Sequence, residues 1–497
     1  MKYIASIGLL LVFLSLALTG CHDQFDHFTS DPNARISFSQ DTLRLDTLYS
    51  EQPSSTRTLL VYNKGNKALK IDEIRLLHGV ERGFRINVDG RSGQRFEGVT
   101  LPAGDSIHVF VEATLQRMID DLPQLITDSI LFRFNGKQQA LRIESWCHNL
   151  DQYDLLHIQK DSVITAQRPL YIRDSLVVDE GVTLTLEAGV HLLLGDKAHI
   201  SIYGSLCANG TPTERVLIEG LRRDYLIPSI NYRLVPGQWN YVRLARGTKG
   251  NKLLYTTIRN GRDGLICDAT HSASGEETLY AEGLIITNMK GRALTLDRAR
   301  ARLYNCELSN TLSTTLLLTG GITELLHCSL VNYYAWDKRE GSTLVYNLPE
   351  GGGAEQTSFK ATNTLVDGAR NVIRIAGREP GRGRVRTPVG GEIELAEKVR
   401  DRTTFDHCYL RTALPQNNGV AYFDCIEAKQ PADEVYVHVG RNREKDKMDF
   451  VYFFQPWADA PWVQKGVKSD LSTDIQGRTR ATQPTIGAYE PSTEKRK

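Results

Sequence analysis

The sequence predicts an all-β protein with two parts, a β-sandwich near the N-terminus and a solenoid of stacked parallel strands after it. Two observations carry this prediction. Residues 35–150 alternate apolar and polar side chains in short runs separated by turn residues, which is typical of half-buried strands. Further along, the pattern Cys-x-Leu-x-Asn begins at Cys306 and again at Cys328, and an interval of 22 residues lies in the range of solenoid repeats.

The chain is long enough for both parts, and its net charge favours no charged partner. With 497 residues the chain exceeds one ordinary hydrophobic core, so we expect two or three domains, or one domain beside an elongated repeat. A formal charge of +1 gives no long-range field that favours nucleic acid. The sequence also lacks the HExxH, Walker, GxSxG and GxGxxG motifs. We therefore expect neither a nucleic acid nor a nucleotide as partner.

Residues 1–20 have the layout of a secretory signal, because Lys2 precedes an uncharged apolar run. The run ends in a stretch that resembles the bacterial lipobox, in which the signal is cleaved before a cysteine and diacylglycerol is attached to its sulfur. The resemblance implies a lipid anchor and hence a membrane partner. Residues 21–34 are polar and aperiodic, as expected of a tether. The lipobox residues are Leu18, Thr19, Gly20 and the lipid-attachment residue Cys21.

The segment 35–150 predicts a β-sandwich of immunoglobulin-like type. Ile107, Val109 and Val111 alternate along one run, and Asn135-Gly136 separates two further runs. Both positions of a two-residue hairpin turn favour positive φ, which Asn and Gly tolerate. Several short strands with turn residues between them, over about this length, are typical of a sandwich.

The segment 155–490 resembles right-handed parallel β-helix proteins. The resemblance rests on "LYIRDSLVVDEGVTLTLEAGVHLLLGDKAHISIYGSLCANGT" and on "PGQWNYV" at residues 236–242. It implies coils of short parallel strands stacked along one axis, with residues 491–497 left as a charged tail. Coils longer than 22 residues have to extrude loops, and we expect these near 333–357 and 376–402.

Aligned turn residues predict a structural ladder along the solenoid. The closing residues are Asn260, Asn288, Asn310 and Asn332, continued by Asp367 and Thr412. Asparagine tolerates left-handed backbone in a tight turn, and stacked amides can bond from coil to coil. Four positions earlier lie small or apolar residues that should stack inside the solenoid, where small buried cysteines fit. These residues are Thr256, Leu284, Cys306, Cys328, Asn363 and Cys408.

The remaining cysteines give no sign of a metal site. Seven are left after Cys21, an odd number without a CxxC pair, which argues against zinc and against a complete disulfide framework. There is also no dense cluster of aspartates for calcium, so we expect no metal and no cofactor, with calcium possible only if the protein is a lyase.

One outward face of the solenoid offers weak catalytic candidates. His327 as base, oriented by Glu307, is chemically possible for a polysaccharide lyase, although any surface strand shows such residues. Tyr255 and Tyr409 lie on the same predicted face and are weak candidates for ligand binding. Without a lysine and an arginine together on that face, we expect ordinary polar surface residues there rather than catalysis.

A basic loop is the other candidate ligand site. Guanidinium groups match the geometry of carboxylate and sulfate, so an anionic glycan is a reasonable partner. The same loop carries glutamates that can neutralise these charges, so solvated charge is the alternative. The basic residues are Arg378, Arg382, Arg384 and Arg386, and the glutamates are Glu392, Glu394 and Glu397.

The C-terminal region predicts packing and closure. The aromatic run 449–462 resembles a strand that seals a core more than a sugar platform. The final segment resembles the closing segment of bacterial surface β-helix proteins, which implies an arginine–carboxylate clamp that caps the last coil. Its residues are Asp474, Gly477, Arg480 and Gly487 to Glu490, with Arg478 as the alternative arginine.

The chain as a whole resembles the β-helix surface lipoproteins of the Bacteroidetes, a family defined by architecture rather than by one reaction. The resemblance implies an exported protein anchored by lipid to the outer membrane, on its periplasmic or cell-surface side. We expect a non-catalytic protein that binds a polysaccharide or a surface protein through the β-helix face and loops. The alternative is a polysaccharide lyase or glycoside hydrolase that acts on anionic glycans.

Overall fold

The chain divides into two compact units, residues 1–149 and residues 150–497. The signal, Cys21 with its lipobox, and the four arginines of the 376–402 loop lie outside the described residues. The computed structural model describes residues 28–227, 230–268, 276–347, 357–369, 372–376, 402–412, 420–442 and 447–494.

The first unit is a β-sandwich with one turn of 3-10 helix, Gly79–Arg82. Its described strands form two sheets. One sheet has the order Ser37–Phe38, Arg57–Tyr62, Ser106–Ala113, Phe84–Val88 and Arg91–Gly93. The other has the order Thr42–Arg44, Lys137–His148, Gln124–Phe134, Leu69–Leu76 and Arg95–Leu101, with Leu48–Tyr49 also beside Lys137–His148.

Alternation along the strands builds the core of this unit. Ile107, Val109 and Val111 point to one side of their strand and are buried. Asn135 and Gly136 have φ values of 48° and 76° between two long antiparallel strands, as the sequence predicts. The inward side chains of both sheets form one apolar cluster.

The second unit is a parallel β-helix with three stacks of strands, named A, B and C here. Each strand of a stack pairs in parallel with its counterpart one coil away. Stacks A and B join into one sheet of 18 described strands, and stack C is a separate sheet of ten. A coil runs from a strand of stack A through a turn to stack B, and then to stack C.

The strands of stacks A and B begin with two long strands, Asp151–Ile158 and Leu170–Val178, that take part in both. Stack A continues with His191–Leu194, Val216–Gly220, Thr256–Arg259, Ile285–Met289, Glu307–Thr311, Ser329–Asn332, Leu365–Gly368, Tyr409–Leu410 and Ile426–Glu427. Stack B continues with His199–Ile202, Val242–Leu244, Leu265–Cys267, Leu294–Asp297, Leu316–Thr319, Leu344–Asn347 and Ile373–Ala376.

Stack C closes the coils on the third side. Its strands are Ser162–Ile164, Thr183–Leu186, Ser205–Asn209, Asn251–Leu254, Leu279–Glu282, Arg300–Tyr304, Ile322–Leu326, Ser358–Thr362, Thr403–Asp406 and Ala421–Phe423.

The repeated cysteine and leucine lie in the interior, one coil above the other. Leu308 pairs with Leu330 in parallel register, which sets Cys306 opposite Cys328. All four side chains are buried, and so is Cys408. All seven cysteines of the described chain are free thiols. The predicted fold class, a β-sandwich followed by a right-handed parallel β-helix, is confirmed.

The asparagine column is only partly continuous. Asn260, Asn288 and Asn310 have φ values of 67°, 59° and 48°, the left-handed backbone that a tight turn requires. The Asn288 amide donates to Asn260 Oδ1 over 3.0 Å, so these two form a rung of the ladder. The Asn332 amide instead donates to Thr311 O and Thr311 Oγ1, both at 2.9 Å. The ladder of asparagine side chains is therefore interrupted at Asn332.

One coil is shifted by a residue from the register that the sequence spacing predicts. Leu330 pairs with Val366, and Val331 pairs with Asp367. The predicted inward position at Asn363 is therefore wrong, and Thr364 continues the column of Cys328. Alternate residues of a strand face opposite sides, so Leu365 and Asp367 point outward rather than inward.

Two further segments of the described chain leave the coils. A hairpin of Tyr225–Ile227 and Ile230–Asn231 precedes a 3-10 turn, Tyr232–Leu234. After the last coil, one helical turn, Ala432–Val435, leads into an antiparallel hairpin of Tyr436–Asn442 and Lys447–Pro456. Within the described residues, no helix has the length and apolar character needed to span a membrane.

Candidate functional site

The C-terminal segment, residues 457–491, covers much of the outward face of stack A. Its backbone bonds directly to the coils: Gly487 N donates to Asn363 O over 2.7 Å, and Ala488 N donates to Ser329 Oγ over 3.0 Å. This face holds the catalytic candidates of the sequence. The chain itself therefore occupies the place where a polysaccharide would have to lie.

His327 is fully buried under this segment. Its Nε2 lies 3.1 Å from Ser469 Oγ and 3.0 Å from the Asn363 amide nitrogen. Burial, assisted by the positive charge of Arg480, lowers the pKa of His327 to about 3. A neutral imidazole enclosed on all sides has no access to a substrate proton.

Glu307 is buried in a separate network. Ser309 Oγ donates to its Oε1 over 2.6 Å, and the Tyr489 hydroxyl donates to its Oε2. Burial raises the pKa of Glu307 above its ordinary value. Among the described residues no hydrogen bond joins Glu307 to His327, so the structure does not bring this predicted pair together.

The two tyrosine candidates on the same face differ in exposure. Tyr409 is fully buried, and its ring centroid lies 4.3 Å from that of Trp462. We expected Tyr409 to be exposed to a ligand because its predicted position faces outward. This expectation is wrong, because the C-terminal segment packs on the side chain. Tyr255 is half-buried, with the Arg215 guanidinium 5.8 Å from the centroid of its ring.

Arginine–carboxylate clamps do hold the final segment, but they do not cap the last coil. Asp474 Oδ2 accepts from Arg478 Nε over 2.9 Å, and Glu490 Oε1 accepts from Arg480 Nη1 over 3.1 Å. Arg480 Nη2 also donates to Asn305 Oδ1 over 2.6 Å, in a coil well before the last one. The predicted position of the clamp is corrected accordingly, because the segment folds back along the side of the helix.

The aromatic run packs rather than displays its rings. Tyr436, Phe454 and Trp462 are buried in one cluster with Tyr409. The centroids of the Tyr436 and Phe454 rings are 5.4 Å apart, and their planes are nearly perpendicular. This cluster attaches the C-terminal hairpin to the last coils of stack A.

The sequence did not predict a further candidate site, a basic pocket in the turns between stacks A and B. It encloses about 410 Å³. We name it the turn groove. Its lining residues are Asp196, Lys197, Gly237, Trp239, Asn240, Arg262, Lys290 and Leu312.

The groove is built by backbone bonds between turns of successive coils. Asn240 N donates to Ala198 O over 2.8 Å, and Arg262 N donates to Trp239 O over 2.7 Å. Lys290 N donates to Gly261 O over 3.0 Å in the next coil. A turn that bonds to both neighbours has little freedom, so the groove has a preformed floor.

The lining charge of the groove is mainly positive. Lys197, Arg262 and Lys290 are exposed, and among the described residues none of them forms an ion pair. Asp196 is the single acidic residue of the lining. The stem of Lys290 rests on Gly237, where a Cβ would lie 2.8 Å from Lys290 Cδ. The groove therefore offers three cations in a row to an anionic ligand.

A buried ion cluster supports one side of the groove. Glu219 is fully buried and lies 2.9 Å from His191 Nε2, 2.8 Å from Arg223 Nη2 and 2.6 Å from Arg259 Nε. Burial alone would raise the pKa of Glu219, but the His191 hydrogen bond and the arginine charges hold this pKa well below its ordinary value. Arg259 O in turn accepts from Trp239 Nε1 over 3.0 Å, which joins the cluster to the groove floor.

The asparagine column already contained a signal for this groove. Arg262 follows Asn260 by two residues, and Lys290 follows Asn288 by two residues. Aligned asparagines imply that the residues after them are stacked as well. Lys197 lies in a coil without this asparagine, so the sequence alone did not connect it to the other two.

Within the described part of the chain, no group of three or more His, Cys, Asp or Glu side chains is placed to hold a metal ion.

No family model matches the chain, and no curated protein matches it. Among solved structures, a family 123 glycoside hydrolase from Clostridium perfringens is similar over 24% of this chain and 26% of its own, so the match spans about a quarter of that protein. The sequence identity is 8% and the TM-score is 0.16, values that carry no argument about function.

Proposed function

We propose that this protein is a non-catalytic binding protein of the cell envelope that holds an anionic polysaccharide in the turn groove. The observation that supports the proposal is the row of Lys197, Arg262 and Lys290, three exposed cations on a rigid floor. Carboxylate and sulfate groups are the natural partners of such cations, and the attraction weakens with salt.

The groove fits a glycan better than a nucleic acid. Proteins that bind single-stranded nucleic acid combine a positive groove with exposed aromatic rings on which bases stack. Trp239, the aromatic residue of the lining, is almost fully buried, and its indole nitrogen is bonded to the backbone. A sugar polymer needs no such stacking surface when its charges are held by lysine and arginine.

The envelope location rests on the lipobox resemblance. A diacylglycerol on Cys21 would fix the protein to the outer membrane through acyl chains, each buried methylene contributing about 0.8 kcal/mol. The full-length protein with an intact Cys21 should partition into the detergent phase of a Triton X-114 separation and incorporate labelled fatty acid. The Cys21→Ser variant should do neither, and label retained in that variant would refute the anchor.

A lyase or hydrolase on anionic glycans is the alternative function. The buried states of His327 and Glu307 give it no support on the face where we expected it. Incubation of the protein with uronate-containing glycans, followed by the absorbance of new unsaturated ends and by reducing-end assays, tests it directly. Sustained turnover would refute the non-catalytic proposal.

The binding test compares two triple variants of equal charge change. The groove variant carries Lys197→Gln, Arg262→Gln and Lys290→Gln. The control variant carries Lys252→Gln, Arg300→Gln and Lys360→Gln, three exposed positions on stack C. Both are titrated with polygalacturonate, dextran sulfate, neutral dextran and single-stranded DNA.

We expect the wild type and the control to bind one of the two anionic polysaccharides and the groove variant to lose that binding. Equal losses in both triple variants would refute the groove as the site. Tighter binding of DNA than of either polysaccharide would refute the glycan as the ligand class.

A further inference from the structure

We infer that the anionic polysaccharide lies parallel to the axis of the β-helix, across the turns of four successive coils, with one end of the contact at Lys197 and the other at Lys290. This inference rests on the proposed function and adds to it the direction of the chain, the length of ligand required and the position at which the contact stops.

The order of the coils supports this direction. The turn of Lys197 precedes His199–Ile202, and the turn of Asn240 precedes Val242–Leu244 in the next coil. The turns of Arg262 and Lys290 precede the two strands that follow in stack B. The three cations therefore lie along the axis of the helix in the first, third and fourth of four consecutive coils.

The spacing of the coils suits a polymer of sugars. Parallel strands are about 4.8 Å apart, so Lys197 and Lys290 are separated by roughly 14 Å along the axis. The coil spacing is close to the length of one pyranose unit in an extended chain. A polymer along the axis thus presents about one sugar to each coil, whereas a polymer across the axis would meet only one coil and one cation.

Beyond Lys290 the groove lining brings no further cation. Leu312 lines the fifth coil and brings no charge. The backbone nitrogen of Glu340, an exposed acidic residue, donates to Leu312 O over 2.9 Å. An acidic residue bonded through its backbone to this turn disfavours a polyanion beyond it, which limits the contact to the four coils before it.

The test uses oligogalacturonates of increasing length, from the monomer to the octamer, and isothermal titration calorimetry with the full-length protein. The wild type should gain affinity up to about the tetramer and little beyond. Lys197→Gln should weaken tetramer binding by roughly three- to tenfold and leave dimer binding nearly unchanged, because a dimer held at Arg262 and Lys290 does not reach the first coil. Lys360→Gln is the matched control and should change neither affinity.

Other outcomes separate the inference from the proposed function. If affinity is already maximal with the monomer or dimer, or if Lys197→Gln weakens dimer and tetramer equally, the polymer does not lie along the axis, although the groove still binds glycan. If no length binds although long polygalacturonate or dextran sulfate does, the inference is refuted and the proposed function stands; if the long polymers also fail, the proposed function itself is refuted. Glu340→Gln gives an independent readout: it should strengthen binding of the octamer but not of the tetramer, and equal effects on both would contradict this limit of the contact.

Discussion

Arg480 donates a hydrogen bond from Nη2 to Asn305 Oδ1 over 2.6 Å, and this bond joins the C-terminal segment to a coil 175 residues earlier in the chain. Arg480 also pairs with Glu490, and both side chains are largely buried. The segment is therefore held on the side of the β-helix by a buried polar network rather than by apolar contacts alone. Its attachment determines which part of the surface remains open to a ligand.

Arg480→Ala should lower the free energy of unfolding of the protein by about 3–5 kcal/mol, because it leaves the Glu490 carboxylate buried without its cationic partner. Urea denaturation followed by circular dichroism measures the change. Arg173→Ala is the matched control, since Arg173 and its partner Asp154 are both exposed, and it should change stability by less than about 1 kcal/mol. Equal effects of both variants would contradict the clamp.

The protein should lose stability as the pH falls from about 6.5 towards 3, in part because of His327. The folded-state pKa of His327 is lowered to about 3, so the unfolded chain binds a proton in this range while the folded chain does not. Each pH unit in the window then costs about 1.4 kcal/mol.

His327→Gln removes this titration. Urea denaturation between pH 7 and 4 should give a shallower loss of stability for the variant than for the wild type. Parallel slopes for the two proteins would show that His327 is not buried in its neutral form.

Glu219→Gln should destabilise the protein by about 2–4 kcal/mol at neutral pH. The substitution removes the negative charge of the carboxylate to which Arg259, Arg223 and His191 are all bonded. Since the pKa of Glu219 is lowered in the folded state, its contribution is present above the ordinary carboxyl range and decreases as the pH falls through that range. The difference between variant and wild type should therefore shrink in acid. A constant difference from pH 7 to 3 would contradict this account.

Gly237→Ala should weaken polysaccharide binding severalfold, because the new Cβ would lie 2.8 Å from Lys290 Cδ and displace that side chain. The left-handed backbone at Gly237 adds a stability cost of about 1 kcal/mol. Gly247→Ala is the matched control: its φ of 88° carries a similar backbone cost, but no atom lies within 4 Å of its Cβ. Calorimetric titration should show weaker binding for Gly237→Ala alone, and equal affinities of the two variants would contradict the role of Lys290.

The sequence predicted the features that depend on near neighbours in a strand or on the repeat. Asn135-Gly136 marked a hairpin, and Cys306 and Cys328 marked two stacked coils, because each signal lies within one strand, turn or repeat. The register of the strand at Asn363 was predicted wrongly. A shift of one residue changes the spacing of the repeat very little, but it moves every side chain of the strand to the opposite face.

The candidate site depends on contacts between segments that lie far apart in the sequence. The repeat pattern of the sequence carries no information about such contacts. The burial of His327 and Tyr409 comes from a segment that follows the repeat and folds back on it. Lys197 joins Arg262 and Lys290 only through the stacking of coils of unequal length, one of which carries the hairpin at residues 225–231. Such placement follows from the three-dimensional packing of the coils, and the spacing of residues along the chain does not determine it.

The most direct test of the account is a crystal structure of the protein with a bound oligogalacturonate octamer. We expect density for the sugar chain along the turn groove, with carboxylates near Lys197, Arg262 and Lys290 and the chain parallel to the helix axis. Ordered sugar at another surface, with the groove filled only by solvent, would contradict the central claim.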